Sequence, residues 1–112
     1  MYKFVHILAA RPNFIKSAPV IKALANKGCN NVIVHTNQHY DFMMSQVFFQ
    51  DLDIPDPNYH LGIGSGTHGT QTGESIIEIE KILVEESPKA VLVYGDVNSS
   101  LAGALAAVKL NI

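Results

Sequence analysis

Short, continuous apolar runs alternate along this chain with longer stretches of helical period, and that alternation leaves few folds open. Phe4-Val5-His6-Ile7-Leu8 and Val91-Leu92-Val93-Tyr94 are unbroken rather than alternating, as strands covered on both faces are. Helical segments follow each of them. The pattern predicts an α/β fold with a Rossmann-like parallel sheet and helices on both faces.

The first strand is expected over Lys3–Leu8, and the helix after it carries Val20, Ile21 and Leu24 on one face. Gly28 stands where a left-handed helix terminator belongs. Pro19 would remove a hydrogen bond inside a helix begun at Asn13, so a break near Ser17 is expected, with Ser17 capping a fresh turn. A second strand follows over Asn31–His35 and a helix over about Asp41–Phe49. Pro55 and Pro57 make residues 51–58 a loop.

Tyr59–Ile63 reads as a short extended piece and residues 64–69 as a glycine-rich loop. Ile76, Ile79 and Leu83 then mark one face of a long helix closed by Pro88. A strand over Ala90–Tyr94 and a helix over about Ser99–Leu110 come last, and Asn111-Ile112 reads as the start of another strand. A doubly wound sheet normally continues there. Residues 1–112 are therefore expected to form most of an amino-terminal Rossmann-like domain, incomplete and without its second domain.

Of the 112 residues, 47% are hydrophobic and 16% charged, which suits a globular domain rather than a disordered chain. The net charge of -2 supplies no broad basic field for nucleic acid or an anionic membrane, so any anion must be bound locally. Cys29 stands alone and fits a reducing compartment, and no apolar run approaches membrane-spanning length. The cytoplasm is the expected location. His6, His35, His60 and His68 show no metal-ligand spacing on a common helix, and no metal is expected.

Chemistry concentrates in two strand-to-helix turns, Ala9-Ala10-Arg11-Pro12-Asn13-Phe14-Ile15-Lys16 and Gly95-Asp96-Val97-Asn98-Ser99-Ser100. If their strands are parallel, Arg11, Lys16 and Asp96 meet at the crevice beyond the sheet's carboxyl edge. Asp96, one residue after a glycine that permits a sharp turn, suits general acid or base work. Arg11 offers a planar fork and Lys16 a point charge to a phosphate docked at the helix amino terminus. Gln38 and His39 close the second strand, where an amide and an imidazole can hold sugar or base groups. Asn98 joins this substrate-binding group, although it could equally cap its helix.

Gly64-x-Gly66-x-x-Gly69 formally matches a dinucleotide fingerprint, with Asp96 as the ribose acid. Its leading strand is short, and Asp96 lies well beyond the expected spacing of about 20 residues. A surface loop with Thr67 or Thr70 capping the next helix ranks ahead of nicotinamide binding. A non-catalytic binding or assembly module, whose exposed edge pairs with another chain, is the other alternative.

Taken in order, these segments resemble the non-hydrolysing UDP-N-acetylglucosamine 2-epimerases. That family's Gly-Thr-Arg-Pro-x-x-Ile-Lys followed by Ala-Pro-Val is echoed by residues 9–20, its Thr-Gly-Gln-His by residues 36–39, and its Gly-Asp-Thr and Leu-Ala-Gly-Ala-Leu-Ala-Ala by residues 95–107. The resemblance implies most of the first domain of a glycosyltransferase-B-like fold, with the active site between two domains. It implies reversible epimerisation at C2 through anti-elimination of UDP to 2-acetamidoglucal and re-addition, with no cofactor, in a homodimer serving polysaccharide biosynthesis.

By the same resemblance Arg11, Lys16 and Asp96 fall on active-site positions, Asp96 as acid or base and the cations near the departing diphosphate. Gln38 and His39 match positions that bind a second, regulatory substrate molecule in bacterial relatives. Ala9-Ala10, Asn37 and Val97 depart from the pattern, and Asp41 and Thr70 stand where bacterial regulatory sites show glutamine and arginine. The family's later His-x-Glu-Ala-Gly segment would lie after Ile112.

Overall fold

The computed structural model describes residues 2–112, with residues 39–41 described through their backbone alone. Four strands and four helices alternate: β1 (Lys3–Leu8), α1 (Arg11–Asn26), β2 (Asn30–Asn37), α2 (His39–Asp51), β3 (Tyr59–Ile63), α3 (His68–Glu86), β4 (Ala90–Val93) and α4 (Asn98–Lys109). The sheet order is β3-β2-β1-β4, and every neighbouring pair is parallel. The expected α/β architecture is the one observed.

Period-two alternation sorts the strand residues between two helical layers. Val5 and Ile7 of β1, with Val32 and Val34 of β2, bury against Ile79 and Leu83 of α3 and Ala102 and Ala106 of α4. Leu8 and Ile33 point the other way, into a core with Phe14 and Ile21 of α1 and Phe42 and Phe49 of α2. The small residues of α4 let it lie close to the sheet. A Cβ added to Gly103 would stand 3.0 Å from Val93 Cγ1 and 3.1 Å from Ile7 Cγ1.

Three local expectations need correction. α1 runs unbroken through Pro19, and Ser17 caps nothing, since its hydroxyl donates to the Phe14 carbonyl at 3.1 Å within the same helix. Pro19 is exposed, and so is Ile15, whose carbonyl loses its partner to the proline ring; water can serve there, and the apolar face of α1 keeps the helix whole. β2 is longer than expected and takes in Thr36 and Asn37. Asn111-Ile112 is no strand but the close of α4, with Ile112 N–H donating to the Ala107 carbonyl at 3.0 Å.

One buried polar network crosses the α1 layer. Asn31 gives its Nδ2 to the Ile21 carbonyl at 3.2 Å, which leaves Oδ1 to accept from His6 Nε2 at 2.7 Å. His6 Nδ1 therefore accepts from Tyr94 Oη at 2.8 Å. Burial pulls the His6 imidazole below its ordinary value, opposed by the Asn31 bond, and pushes the Tyr94 phenol up to about 12. At the amino edge of the sheet Lys3 pairs with Glu86 at 3.0 Å, and Tyr59 Oη also donates to Glu86.

Candidate active site

Because every strand runs the same way, the turns after β1, β2 and β4 open on one edge of the sheet. β1 is the branch point: β2 lies on one side of it and β4 on the other, so the chain's succession reverses between β1 and β4. Crevices form at such reversals, outside the carboxyl ends of the strands. Here the crevice is a cleft of about 370 Å³, lined by Ala9, Ala10, Asn37, Gln71, Asp96 and Asn98 among others.

Side-chain amides tie together the turns that frame it. Asn13, 2% exposed, accepts on Oδ1 from the Ala9 and Ala10 N–H groups at 3.0 and 3.1 Å and donates from Nδ2 to the Tyr94 carbonyl at 2.9 Å. Ser100 Oγ donates to the same carbonyl at 2.7 Å. Asn37 Nδ2 donates to the Ala9 carbonyl at 2.7 Å, and Thr36 shares a 2.7 Å hydroxyl bond with Ser99. Gly95 takes φ +76° with a built Cβ 3.2 Å from Asn13 Nδ2, so this turn needs glycine twice over.

These bonds change how the first turn can hold an anion. The Ala9 and Ala10 amides are already spent on Asn13 and are not open to a phosphate here. The start of α4 differs: its N-cap is Val97, and no side chain caps it. Its amino-terminal dipole faces the cleft through Val97, Asn98 and Ser99.

Of the residues singled out from sequence, Arg11 opens α1 at this rim and Asp96 stands in the turn after β4, while Lys16 lies in the second turn of α1. Arg11 leans away from the cleft, its guanidinium carbon 4.3 Å from the centre of the Phe48 ring on α2. Lys16, five residues on, lies about 140° further round α1, on the flank away from α2. Neither lines the cleft. Asp96 does, and it is exposed rather than shielded from water.

Gln38 packs on the glycine-rich loop, where a Cβ on Gly64 would come 2.6 Å from its Nε2. The His39 side chain, like that of Asp41, lies outside the described residues. Asn98 lines the cleft and donates from Nδ2 to Gln71 Oε1 and His68 Nδ1, both at 3.0 Å, while Gln71 Nε2 donates to the Gly64 carbonyl at 3.1 Å. Asn98 therefore bonds across to α3 instead of capping α4.

Gly64 to Gly69 follow the outermost strand, and Thr67 Oγ1 accepts from Thr70 N–H at 3.1 Å, filling the helix start that a pyrophosphate would need. Among the described residues no group of three His, Cys, Asp or Glu could hold a metal ion, and no helix is long and apolar enough to cross a membrane.

Asn13, Gln71 and His68 were not singled out from sequence. Asn13 carried a usable signal, as a polar residue capable of capping in the turn between a predicted strand and a predicted helix. Gln71 and His68 carried none, because only the fold brings α3 to the start of α4.

The model of a family described as UDP-N-acetylglucosamine 2-epimerase matches residues 22–112. A UDP-N-acetylglucosamine 2-epimerase homolog of Methanococcus maripaludis is 58% identical over 98% of this chain and 30% of its own length. A UDP-2,3-diacetamido-2,3-dideoxy-D-glucuronate 2-epimerase of Pseudomonas aeruginosa is 51% identical over 98% of this chain and 31% of its own. The crystal structure of Methanocaldococcus jannaschii UDP-GlcNAc 2-epimerase in complex with UDP-GlcNAc and UDP superposes with a TM-score of 0.90 at 53% identity, covering 98% of this chain and 30% of that one. The chain thus spans about 30% of the length of these relatives. Sequence and fold agree along its whole length, and the chain belongs to the UDP-N-acetylglucosamine 2-epimerase family.

Proposed function

We propose that residues 1–112 form the amino-terminal wall of the catalytic cleft of a UDP-N-acetylglucosamine 2-epimerase that interconverts UDP-GlcNAc and UDP-ManNAc. The reaction breaks the C2–H and C1–O bonds to release UDP and 2-acetamidoglucal, then rebuilds both with the proton returned to the opposite face of C2. Asp96 is the acid or base on this wall. Lys16 and Arg11 offset charge on the departing diphosphate, while Gln38, His39 and Asn98 contact the substrate.

The observation that carries this reading is the placement of Asp96 and the Arg11–Lys16 turn on one rim, either side of the β1/β4 reversal. The cleft has one wall here, with Asp96 exposed and both cations outside its lining. Transition-state contacts and exclusion of water then fall to a second domain closing over it. The chain alone is accordingly without turnover. The intact enzyme is a cytoplasmic homodimer of glycosyltransferase-B-like architecture that feeds polysaccharide synthesis and needs no redox cofactor.

The identity with the Pseudomonas aeruginosa relative supports a second substrate, a UDP-2,3-diacetamido-2,3-dideoxyglucuronate, handled by the same chemistry. A chimera in which residues 1–112 replace the matching segment of the Methanocaldococcus jannaschii enzyme tests the reading. Turnover of UDP-GlcNAc by the chimera and none by the 112-residue chain is expected. An inactive, folded chimera would refute the catalytic role, and preference for the diacetamido sugar would favour the second substrate.

A further inference from the structure

The two catalytic turns come from opposite ends of the chain, and one side chain is bonded to both. Asn13 sits in the first turn of α1, 81 residues before Tyr94, and is nearly sealed from solvent. Its oxygen holds the Ala9 and Ala10 amides, which fixes the approach to Arg11. Its nitrogen holds the Tyr94 carbonyl, whose peptide unit continues into Gly95 and Asp96. A carboxamide is the one side-chain group of this length that accepts at one end and donates at the other at neutral pH.

We propose that Asn13 is a positioning residue, a bridge that holds the Arg11–Lys16 turn in fixed register with the Gly95–Asp96 turn. This rests on the function proposed above for what the register serves, but the bridge itself stands on geometry. The bridge is tight: with Gly95 at φ +76° and a built Cβ only 3.2 Å from Asn13 Nδ2, the second turn closes onto the amide. Ser100 Oγ supplies the Tyr94 carbonyl with its second bond at 2.7 Å, so both lone pairs are used and the peptide cannot rotate freely. Asn37, bonded to the Ala9 carbonyl, braces the first turn from the β2 side. Catalysis is sensitive to displacements of about 1 Å in such groups, so the bridge acts on rate rather than on substrate affinity.

Two measurements test this. In the parent 112-residue chain, a scalar coupling across the hydrogen bond is expected between the Asn13 side-chain nitrogen and the Tyr94 carbonyl carbon; its absence under conditions that show the helix couplings of α1 would overturn the bridge. In the Methanocaldococcus jannaschii chimera, Asn13→Asp keeps the acceptor bonds and the volume but loses the donor to Tyr94. Its kcat is expected to fall by roughly tenfold or more with KM within about threefold, as for loss of an interaction made in the transition state. Asn13→Ala should lose at least as much. Parental kcat in Asn13→Asp, with only thermal stability reduced, would overturn the positioning role. An inactive parent chimera counts against the proposed function instead, and the coupling measurement then decides the bridge by itself.

Discussion

The guanidinium carbon of Arg11 lies 4.3 Å from the centre of the Phe48 ring, which draws this cation to the α2 side of the rim and out of the cleft. A planar guanidinium over an aromatic face is attracted by the ring quadrupole and loses little freedom when it then grips an oxyanion. Phe48 thereby acts as a rest for Arg11. In the chimera, Arg11→Ala is expected to weaken UDP binding by about tenfold or more, the loss of one charge-assisted contact. Phe48→Ala should weaken it by roughly threefold through Arg11 alone, so that it has no further effect in an Arg11→Ala background. Calorimetric titration with UDP reads all three variants.

Stability should fall on mild acidification because of His6. Its imidazole is buried and held below the ordinary value by that burial. The unfolded chain therefore takes up a proton first, and the stability His6 contributes is fully present above about pH 6.5 and lost as pH falls toward its native value. Urea denaturation at pH 7.5 and 5.5 is expected to show a loss that His6→Gln reduces. An equal loss in the variant would assign the effect elsewhere.

At the amino edge, Glu86 is held below its usual range by the Tyr59 hydroxyl and then by Lys3, and Tyr59 is raised to about 12 mainly by its bond to Glu86. The Glu86 contribution is present above the unfolded carboxylate value and lost as pH falls through the lower native one; the Tyr59 contribution is present below about pH 10 and lost as pH rises toward 12. Both groups are half-buried at the edge of the sheet, where water still screens the pair, so Glu86→Gln should cost about 1 kcal/mol. Its melting temperature, measured at pH 7, is expected to drop by a few degrees without change in UDP binding.

Gly103 faces Ile7 and Val93, where a methyl group would fit only tightly. Gly103→Ala gains helix propensity but crowds the Ile7 and Val93 side chains, which must give by a few tenths of an ångström, at an expected net cost of about 1 kcal/mol. Thermal unfolding should show that loss, and Ala104→Gly on the exposed side of α4 should cost about 1 kcal/mol as well.

The strand and helix alternation was legible because the two inner runs, in β1 and β2, hold consecutive buried residues on both faces, and Ala90–Val93 is an unbroken apolar run as well. β1 and β3 fall where Lys3–Leu8 and Tyr59–Ile63 were expected. Pro19 misled because the cost of one exposed, unpaired carbonyl is smaller than the value of a continuous face of Phe14, Ser17 and Ile21. Asn111-Ile112 misled because the turn that closes α4 folds Ile112 back onto the Ala107 carbonyl.

At the site, strand-to-helix turns announce a rim, so the turns that carry Arg11 and Asp96 could be placed on it from their positions alone. Where each side chain leans could not be read. Arg11 is directed by Phe48, and the first-turn amides by Asn13, whose other partner is 81 residues away.

Transfer of the C2 proton tests the role of this wall most directly. In D2O the chimera bearing residues 1–112 is expected to place solvent deuterium at the sugar C2 during turnover. Asp96→Asn should slow that exchange by about 10²-fold or more with KM little changed, the usual share of a general acid or base. Deuterium incorporation by Asp96→Asn at the parental rate would contradict the assignment of acid–base chemistry to this rim.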